Sequence, residues 1–458
     1  MPLILGTNSI KDTGFNVANS LRFNDDDTPR LTRTPSSSGN RRTFTISIWI
    51  KLGAISTSTR NIFSAASDGS NYALLRMENH RIEYLLASGS VFGYLSTNRL
   101  FRDPSAWYHV VVAIDTTNGT AGNRMRLYIN GVEETDFNVD TNPSQNADTL
   151  MNHTNEHNVG MFLSSSSSAA FDGYVAELVV IDGQQLSPTS FGEFDSDTNI
   201  WKPIDVSDLT FGTNGIHLDF EDSSTLGNDV SGNNNDFSSH NLTATDQTTD
   251  TCTNNFSTLN PIYPNTGINA FTEGNTVVEF TGGGNGSSLS TFGLQAGRWY
   301  AECKIITTGN GVAVGIFGTS VNLNNWVDIG DGIVYVNGGQ KNLNGTEISG
   351  QGASFTDNDI IGVALDITNG DVEFFKNGSS QFTENLSNIT TGGNSDSVYF
   401  FGFSDGSGAT SGKGAYNFGN PSFSISSGNS DAEGFGNFEH SVPSGFFALC
   451  SKNLAEYG

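Results

Sequence analysis

The sequence is poor in cysteine, in basic residues and in segments with a helical repeat of apolar residues. Its three cysteines, Cys252, Cys303 and Cys450, are odd in number and widely spaced, so neither a disulfide framework nor a cysteine-based zinc site is expected. Lysine and arginine number 21 against 48 aspartates and glutamates, which gives a formal charge of -27. Because this charge repels a phosphate backbone and an anionic membrane surface, binding to nucleic acid and insertion into a membrane are not expected.

The first residues lack the basic region and the long apolar core of a secretory signal, and no apolar run approaches the length of a membrane span. We therefore expect synthesis in a cytoplasm. Residues 1–13 form a short N-terminal arm for which the sequence offers no partner strand. Such an arm frays in a free protein, and in an assembly it can dock on a neighbouring protein.

What the sequence contains in quantity is glycine and phenylalanine, with 53 Gly and 32 Phe in 458 residues. This composition favours short strands joined by tight turns, since glycine tolerates a positive φ. Trp107 to Asp115 and Met125 to Ile129 are rich in β-branched and aromatic residues, and each is followed by an Asn-Gly turn signal. The two segments predict a hairpin of antiparallel strands.

This hairpin occurs twice in the chain. Ala113 to Gly119 returns as Ala364 to Gly370, and Leu127 to Gly131 returns as Glu373 to Gly378. A separation of about 250 residues is too long for a solenoid repeat, so we expect two β domains of similar design.

The composition also places the domain boundaries. We expect the arm at 1–13, a first β domain at 14–221, a polar linker at 222–254 and a second β domain at 255–458. The linker is placed where Asn, Asp, Ser, Thr and Gly outnumber apolar residues, because such a segment buries too little surface to fold alone.

One strand of the first domain shows the alternation of a half-buried strand. Residues 44–50 read Phe-Thr-Ile-Ser-Ile-Trp-Ile, so four apolar side chains share one face and Trp49 lies on the other. We expect the four-residue face, Phe44, Ile46, Ile48 and Ile50, to contact the core.

The segments described so far resemble two known families. Four segments resemble the concanavalin A-like, laminin-G-type jelly roll, namely Phe44 to Leu52, Trp107 to Asp115, Met125 to Gly131 and the Asp-Gly-x-x-Ala-Glu strand Phe171 to Glu177. Three later segments resemble the SPRY (B30.2) sandwich, namely Arg298 to Ile305, Val312 to Gly318 and Ile360 to Gly378. The resemblance implies an all-β fold of two tandem antiparallel β-sandwiches preceded by a short arm.

Most of the chain is also similar to structural proteins of marine tailed bacteriophages. The similarity includes Ser20 to Pro35, Phe101 to Trp107 and Thr251 to Pro261. It implies a place on the virion surface, after synthesis in the host cytoplasm.

The concanavalin A-like fold includes glucanases, which need two or three aligned carboxylates. Their pattern is Glu-x-Asp followed closely by a further Glu. Glu193 and Asp195 begin this pattern, but Thr198 and Asn199 stand where the last acid is required. No catalytic residue is therefore predicted, and a glucanase-like glycoside hydrolase is kept as an alternative.

Two further motifs match known metal sites only in part. His153 to His157 matches an inverted zinc-protease motif, which needs a helix to bring both histidines to one face, and turn residues surround it. A loop with two solvated histidines is the better interpretation. Asp195, Asp197 and Asn199 begin like an EF-hand loop, but Val206 occupies the twelfth position.

Calcium remains possible, because the resemblance to laminin-G-type domains allows it and hard oxygen ligands are abundant at Asp25 to Asp27 and at Asp229 to Asp236. The sequence does not choose between these ligand sets, and solvated turns are the simpler interpretation. The glycine loop Gly282 to Gly286 lacks the Lys-Ser/Thr of a phosphate loop and is interpreted as a turn. No other cofactor is predicted.

The candidate ligand-binding residues are Trp326 and Tyr335. They flank an Asp/Gly loop where the resemblance places the binding face of SPRY-like domains. An exposed aromatic ring beside polar groups can stack on a sugar, and core packing is the competing interpretation for each residue.

The expected function is that of a non-enzymatic virion surface structural protein of a tailed bacteriophage, a tail fibre or adhesin that attaches to a host surface or glycan. A capsid decoration protein, such as a head fibre or knob, is the alternative in the same class. Expected partners are other virion proteins, of capsid or tail, bound through residues 1–13. A homo-oligomer is also expected, and the resemblance favours a trimer.

Overall fold

A computed structural model describes residues 10–53, 55–165, 169–262, 267–281, 285–309, 311–325, 329–390, 397–406 and 411–458. The described chain forms two compact units. The first spans Thr13–Thr253, and the second contains Asn254–Gly458 together with residues 10–12. Both are built from antiparallel sheets, so the prediction of two all-β sandwiches in tandem is confirmed.

The first unit consists of two large sheets and a small hairpin. Sheet I has the strand order β10-β9-β8-β3-β13-β1-β18 with β16 beside β13, sheet II has the order β11-β7-β6-β5-β4-β12-β2-β17, and β14 pairs with β15. The strands are β1 (Ser20–Phe23), β2 (Arg30–Arg33), β3 (Thr43–Leu52), β4 (Arg60–Asp68), β5 (Asn71–Glu78), β6 (Arg81–Ser88), β7 (Ser90–Thr97), β8 (Trp107–Asp115), β9 (Met125–Ile129), β10 (Val132–Glu133), β11 (Phe137–Thr141), β12 (Glu156–Val159), β13 (Gly173–Asp182), β14 (Gly192–Phe194), β15 (Trp201–Pro203), β16 (Ile216–Leu218), β17 (Ser238–His240) and β18 (Gln247–Thr248).

The second unit also consists of two sheets. Sheet III has the order β19-β20-β31-β22-β27-β28-β29, and sheet IV has the order β21-β30-β23-β24-β25-β26. The strands are β19 (Ile268–Thr272), β20 (Val277–Phe280), β21 (Gly286–Leu289), β22 (Arg298–Thr307), β23 (Val312–Phe317), β24 (Gly332–Val336), β25 (Lys341–Leu343), β26 (Thr346–Ile348), β27 (Ile360–Asp366), β28 (Asp371–Lys376), β29 (Ser379–Asn385), β30 (Phe400–Asp405) and β31 (Lys413–Asn417).

Helix is scarce in the described residues. The α-helix α1 covers Ser451–Tyr457, and single 3-10 turns lie at Asp25–Asp27, Ala121–Asn123, Pro188–Ser190, Ala244–Asp246 and Leu386–Asn388. Within the described ranges, no helix has the length and apolar character needed to cross a membrane.

The two units share one topology. The order β10-β9-β8-β3-β13-β1 in sheet I is repeated as β29-β28-β27-β22-β31-β20 in sheet III. Likewise, β7-β6-β5-β4-β12-β2 in sheet II is repeated as β26-β25-β24-β23-β30-β21 in sheet IV. Corresponding strands also follow each other in the same order along the chain, so the expectation of two domains of similar design, drawn from one repeated hairpin, holds for the whole sandwich.

The repeated hairpin ends in the same turn in both units. Asn130 and Gly131 have φ values of 48° and 79°, and Asn377 and Gly378 have 48° and 76°. These values are typical of a two-residue type I′ turn, which Asn-Gly favours. Each asparagine also accepts a backbone hydrogen bond through Oδ1, from His109 N in the first unit and Ile360 N in the second, both at 2.8 Å.

The alternation predicted for β3 is confirmed. Phe44, Ile46, Ile48 and Ile50 are fully buried between sheets I and II, whereas Trp49 belongs to a separate cluster on the outer face of sheet I. Each such buried side chain contributes about 1.5–3 kcal/mol by removing apolar surface from water. The outward-facing side chains of sheet I, such as Trp49, do not contribute to this core.

The segment that follows β13 covers part of this outer face. Phe191, Val206 and Phe211 from residues 183–211 pack against Val111 and Val179 of the sheet. In the second unit, the residues that follow β31 cover the corresponding face of sheet III, where Phe438, Ala448 and Cys450 pack against Tyr300 and Ala364.

Residues 222–254, which were predicted to be a polar linker, are mostly folded into the first unit. Within this segment, β17 pairs with β2 and β18 pairs with β1. Two of its apolar residues, Leu226 and Phe237, are buried in the core. The composition argument fails because the polar side chains bond within the fold, and the boundary between the units lies at Thr253–Asn254.

One such bond is a buried ion pair. Lys51 Nζ and Asp250 Oδ2 lie 2.7 Å apart, and both side chains are fully buried. Asp250 also accepts a hydrogen bond from Trp107 Nε1 at 3.1 Å. The pair attaches the end of the predicted linker to the outer face of β3 and β8.

A second buried pair lies at a distortion of β13. The register of β13 against β3 shifts between Ala176 and Val179, and Glu177 has a φ of 46° there. Its carboxylate lies 2.8 Å from Nε2 of His217 in β16. Since a positive φ is costly for a side chain of this kind, the bulge is stabilised by its surroundings.

Candidate functional site

The first unit has a pocket of about 360 Å³ on the outer face of sheet I. It lies beside the hairpin β14–β15, which crosses that face. The lining residues are Trp49, Arg99, Trp107, Ile129, Asn130, Val132, Phe194, Asn199, Ile200 and Trp201. Three of the five tryptophans of the chain thus meet at one site.

The floor of the pocket comes from two paired strands. Trp49 of β3 and Trp107 of β8 are adjacent on the outer face, because the alternate residues of both strands point into the core. They are only 3% and 9% exposed, so what reaches solvent is part of each indole.

One wall comes from the hairpin β14–β15. Trp201 contacts Phe194 edge to face, with the ring centroids 4.9 Å apart, and Phe194 is 45% exposed. The indole of Trp201 lies directly on Gly131, where an added Cβ would approach the ring to 2.3 Å. Glycine is therefore required at position 131 for two reasons: its positive φ and its close contact with the ring of Trp201.

A buried histidine joins this wall to the floor. The ring of His109 stacks on Trp49 at 4.7 Å and on Trp201 at 5.9 Å. Its Nδ1 accepts a hydrogen bond from Trp201 Nε1, and its Nε2 lies 2.8 Å from Ser47 Oγ. Burial lowers the pKa of His109 to about 3, so the ring is neutral at ordinary pH.

Polar residues also line the pocket. They include Asn130, in the turn after β9 on which Trp201 lies, and Arg99, in the loop before β8, while Val132 of β10 is an apolar part of the lining. Arg99 pairs with Glu134 at 2.9 Å. Burial raises the pKa of Glu134 although the charge of Arg99 opposes this shift.

The lining combines aromatic rings with amide and guanidinium groups. Indole and phenyl faces accept C–H groups, while the side chains of Asn130, Asn199 and Arg99 donate hydrogen bonds. Among the described residues, no Asp, Glu, His or Cys lines the pocket. The described lining therefore offers neither a paired acid and base nor a set of oxygen ligands.

The sequence placed the ligand-binding residues in the second domain instead. Tyr335 is fully buried, where it packs against Phe355, Phe374 and Phe382. Its hydroxyl donates to the carbonyl of Ala353, and burial raises its pKa to about 12. The structure thus places Tyr335 in the core, where its ring cannot stack on a ligand, and Trp326 lies outside the described residues.

The carboxylates considered for a glucanase belong to the hairpin β14–β15. Glu193 and Asp195 each lie 3.4 Å from Nζ of Lys202. Asp195 Oδ1 also accepts hydrogen bonds from the backbone N–H and the hydroxyl of Thr198, and these lower its pKa to about 2. Both acids have structural partners, and Asp195 closes the turn that the EF-hand comparison singled out.

The histidine motif is not helical. Residues 153–155 form a turn, and His157 lies in β12. His157 is buried rather than solvated as predicted, with Nε2 accepting from Asn152 N at 3.2 Å and Nδ1 3.0 Å from the carbonyl of Asn155. Burial lowers its pKa to about 4.

The acidic segments proposed for calcium are bonded within the fold. Asp25 pairs with Arg60 at 2.8 Å, and Asp229 accepts the backbone N–H groups of His217, Ser231 and Asn235. Across the described ranges, no group of three or more His, Cys, Asp or Glu side chains is suited to hold a metal ion. The glycine loop Gly282 to Gly286 falls partly outside those ranges.

Sequence reasoning missed Trp201, because β15 has only three residues, too few to show an alternating pattern. A signal was present for Trp49, because it is a large apolar residue on the face of the alternating strand that was not expected to contact the core. Nothing in the sequence indicated that Trp49, Trp107 and Trp201 meet.

Two family matches agree with this fold. Residues 26–190 match the concanavalin A-like lectin/glucanases superfamily as a laminin G domain, and residues 298–405 match the SPRY domain. No curated protein matched the sequence.

Solved structures of low identity are also similar. The SPRY domain of human HERC1 is 21% identical, covering 31% of this chain and 87% of that one, with a TM-score of 0.27. Domains LG4-5 of the mouse laminin alpha1 chain are 12% identical, covering 88% of each chain, with a TM-score of 0.31. The heptameric SAP-like pentraxin of Limulus polyphemus is 17% identical, covering 38% and 80%, with a TM-score of 0.28.

The matched ranges fall in the two units in the order that the sequence predicted. The chain therefore carries a concanavalin A-like, laminin G-like domain followed by a SPRY domain.

Proposed function

We propose that this chain is a non-enzymatic, adhesin-type protein that holds a carbohydrate in the tryptophan pocket of its first domain. Both domains are binding folds, which suggests a carbohydrate- or protein-binding role. The observation that carries the choice of carbohydrate is the pocket itself, in which Trp49, Trp107 and Trp201 share the lining with the polar side chains of Asn130 and Arg99.

The physical match is with a pyranose ring. Such a ring presents C–H groups on its faces and hydroxyls around its edge, so aromatic walls and hydrogen-bond donors recognise it together. Phe194 and Val132 are 45% and 50% exposed at the rim and can cover a further part of a bound ring. A peptide ligand bound in an extended conformation would need a longer groove than a pocket of about 360 Å³.

The biological setting we propose is the surface of a tailed bacteriophage, as a tail fibre or adhesin, with a capsid decoration protein as the alternative. The resemblance to phage structural proteins over most of the sequence supports this setting. Residues 1–13 are proposed to dock on other virion proteins, in a homo-oligomer for which a trimer is favoured. Antibody labelling of intact particles locates the protein, and normal incorporation of a chain lacking residues 1–13 would contradict the docking role.

A glucanase-like hydrolase has less support. Its candidate acids, Glu193 and Asp195, both contact Lys202, and Glu193 is an exposed residue of β14 that does not line the pocket. Turnover of laminarin that disappears on replacement of Glu193 or Asp195 by Ala would favour the hydrolase.

The proposed function is tested by binding of the full chain to an array of bacterial and algal glycans, followed by titration with the best ligand. We expect Phe194→Ala and Val132→Ala to weaken binding about tenfold each, since each removes about 1.4 kcal/mol of contact. Val91→Ala is the matched control, because Val91 is 46% exposed and does not line the pocket. Equal affinity in all three variants would contradict the proposal.

A further inference from the structure

We infer that Glu134 sets the specificity of the tryptophan pocket, because it holds Arg99 as a hydrogen-bond donor for sugar hydroxyls and thereby favours neutral sugars over acidic ones. The inference rests on the proposed function and names the class of ligand at the same site. Glu134 does not line the pocket, so it is a positioning residue that acts through Arg99. The role follows from the charge of the lining, from the pairing of that charge and from the burial of its partner.

The lining carries one charged side chain. Among the described residues that line the pocket, this is Arg99, and the others are aromatic, aliphatic or amide residues. An unpaired guanidinium would recognise a carboxylate or a sulfate through two parallel, charge-assisted hydrogen bonds. The state of Arg99 therefore decides whether the pocket prefers an acidic sugar or a neutral one.

Arg99 is held in an ion pair. Its Nη2 lies 2.9 Å from Oε1 of Glu134. Glu134 directly follows β10, and its backbone N–H donates to the carbonyl of Leu127 in β9 at 2.8 Å, so the pair is attached to the hairpin β9–β10. Because a guanidinium has five N–H donors, those that do not face Glu134 can still donate to sugar hydroxyls.

The two partners differ in their contact with water. The side chain of Arg99 is 49% exposed, whereas that of Glu134 is 7% exposed. An acidic sugar that drew the guanidinium away would leave the Glu134 carboxylate buried without a counter-charge, which is costly. An acidic sugar that approached the intact pair would bring a second anion close to that carboxylate, and like charges repel. In both cases a neutral sugar binds better.

Neighbouring cations are also paired with acids. Lys202 of β15 lies 3.4 Å from both Glu193 and Asp195. Arg126 of β9 lies 3.6 Å from Glu133. The positive charges on the two hairpins beside the pocket are thus balanced locally, while the formal charge of -27 on the whole chain repels an acidic glycan at a distance.

The test is a titration of the full chain with matched pairs of probes. These are the methyl glycosides of glucose, galactose and mannose, and those of the corresponding uronic acids, which carry a carboxylate in place of the hydroxymethyl group. We expect at least one neutral probe to bind about tenfold or more tightly than its acidic partner. This ratio should persist at about 0.5 M salt, since screening weakens exposed charges more than a pair with one buried partner.

Glu134→Gln tests the residue itself, because it keeps the shape of the side chain and removes the charge. The ratio of neutral to acidic affinity should fall about tenfold, mainly through tighter binding of the acidic probe to the released Arg99. Glu133→Gln is the matched control, since it makes the same change one residue away and its partner Arg126 does not line the pocket. A loss of stability alone would weaken both probes alike and leave the ratio unchanged. The double variant Arg99→Gln with Glu134→Gln should lose the gain for the acidic probe.

Four results would overturn the inference. They are equal or tighter binding of the acidic probe by the wild type, an unchanged ratio in Glu134→Gln, an equal change in Glu133→Gln, and a gain that persists in the double variant. In these cases the proposed function survives, provided that Phe194→Ala weakens binding and Val91→Ala does not. Absence of binding to every neutral probe would also overturn the inference, whereas equal affinity of Phe194→Ala and Val91→Ala for the best glycan of the array would overturn the proposed function.

Discussion

Trp201 Nε1 donates a 2.9 Å hydrogen bond to Nδ1 of His109, and this bond holds the hairpin β14–β15 on sheet I. Because an indole nitrogen only donates, Nδ1 of His109 must be the unprotonated nitrogen, and Nε2–H then donates to Ser47 Oγ. The relationship thus fixes the tautomer of a buried histidine. It also fixes the position of the aromatic wall of the pocket.

Replacement of His109 by Ala should destabilise the first domain by about 2–4 kcal/mol, because it leaves a cavity between two indoles and an unpaired indole N–H. Urea unfolding followed by tryptophan emission measures the loss. Ligand binding should fall as well, since Trp201 loses its anchor. A loss of stability below about 1 kcal/mol would contradict the anchoring role.

Gly131→Ala should weaken ligand binding and lower the melting temperature of the first domain, because the new Cβ would meet the ring of Trp201 at 2.3 Å. Gly89→Ala is the control, since Gly89 also has a positive φ, of 69°, and a Cβ there meets nothing within 4 Å. Both variants carry backbone strain of about 1–2 kcal/mol. Calorimetry and ligand titration together separate this strain from the displacement of Trp201, and equal effects on binding would contradict the steric argument.

Asn377→Ala should destabilise the second domain by about 1.5–3 kcal/mol, because alanine disfavours a φ of 48° and loses the bond to Ile360 N. Asn377→Gly should cost less, since glycine accepts the same φ and loses only the side-chain hydrogen bonds with Ile360 N and Asp359 Oδ1. Asn130 should behave in the same way in the first domain. Scanning calorimetry measures the stability of the alanine and glycine variants at both positions. An alanine variant as stable as the glycine variant would contradict the role assigned to the positive φ.

Lys51→Met should destabilise the first domain by about 3–5 kcal/mol, because it leaves the carboxylate of Asp250 buried without a counter-charge. The double variant Lys51→Met with Asp250→Leu should recover part of this loss, since no unpaired charge remains. Denaturant unfolding of the two single variants and the double variant gives the coupling energy. Additive losses would show that the two groups act independently.

The pair of His217 and Glu177 should stabilise the first domain more strongly below neutral pH than above it. Burial alone would lower the pKa of His217, but the hydrogen bond and the charge of Glu177 together raise it above the ordinary value. The stabilisation is therefore complete below the unfolded pKa of about 6.5 and is lost as the pH rises through the higher folded value. The difference in unfolding free energy between the wild type and Glu177→Gln should narrow over that range, and a constant difference would contradict the assignment.

The parts of the fold that the sequence predicted are those governed by local periodicity. The alternation in β3 identified its core face, and two Asn-Gly turns identified a hairpin in each domain. In β24 the alternation does not identify a core face. Ile333 and Tyr335 face the core, while Val334 and Val336 belong to a second apolar cluster on the other face. With apolar residues on both sides, the sequence could not place Tyr335, which the structure buries.

The remaining differences have a tertiary cause. Residues 222–253 hold few apolar side chains, yet Asp250 and Asp229 attach them to the first domain through bonds to partners distant in sequence. Trp201 likewise reaches the pocket because an irregular segment folds back across sheet I. Composition and spacing carry no information on such contacts, so the linker was misplaced and the pocket was not found.

In both domains the segment that follows the last strand of the shared topology lies over the outside of the first sheet. In the first domain, the wall of the proposed binding site therefore belongs to a segment outside the strands of the sandwich. A change in Gly192–Pro203 can remodel what is recognised while the buried strands keep their sequence, so variants adapted to a new surface should differ there first and the scaffold should be suited to loop grafting.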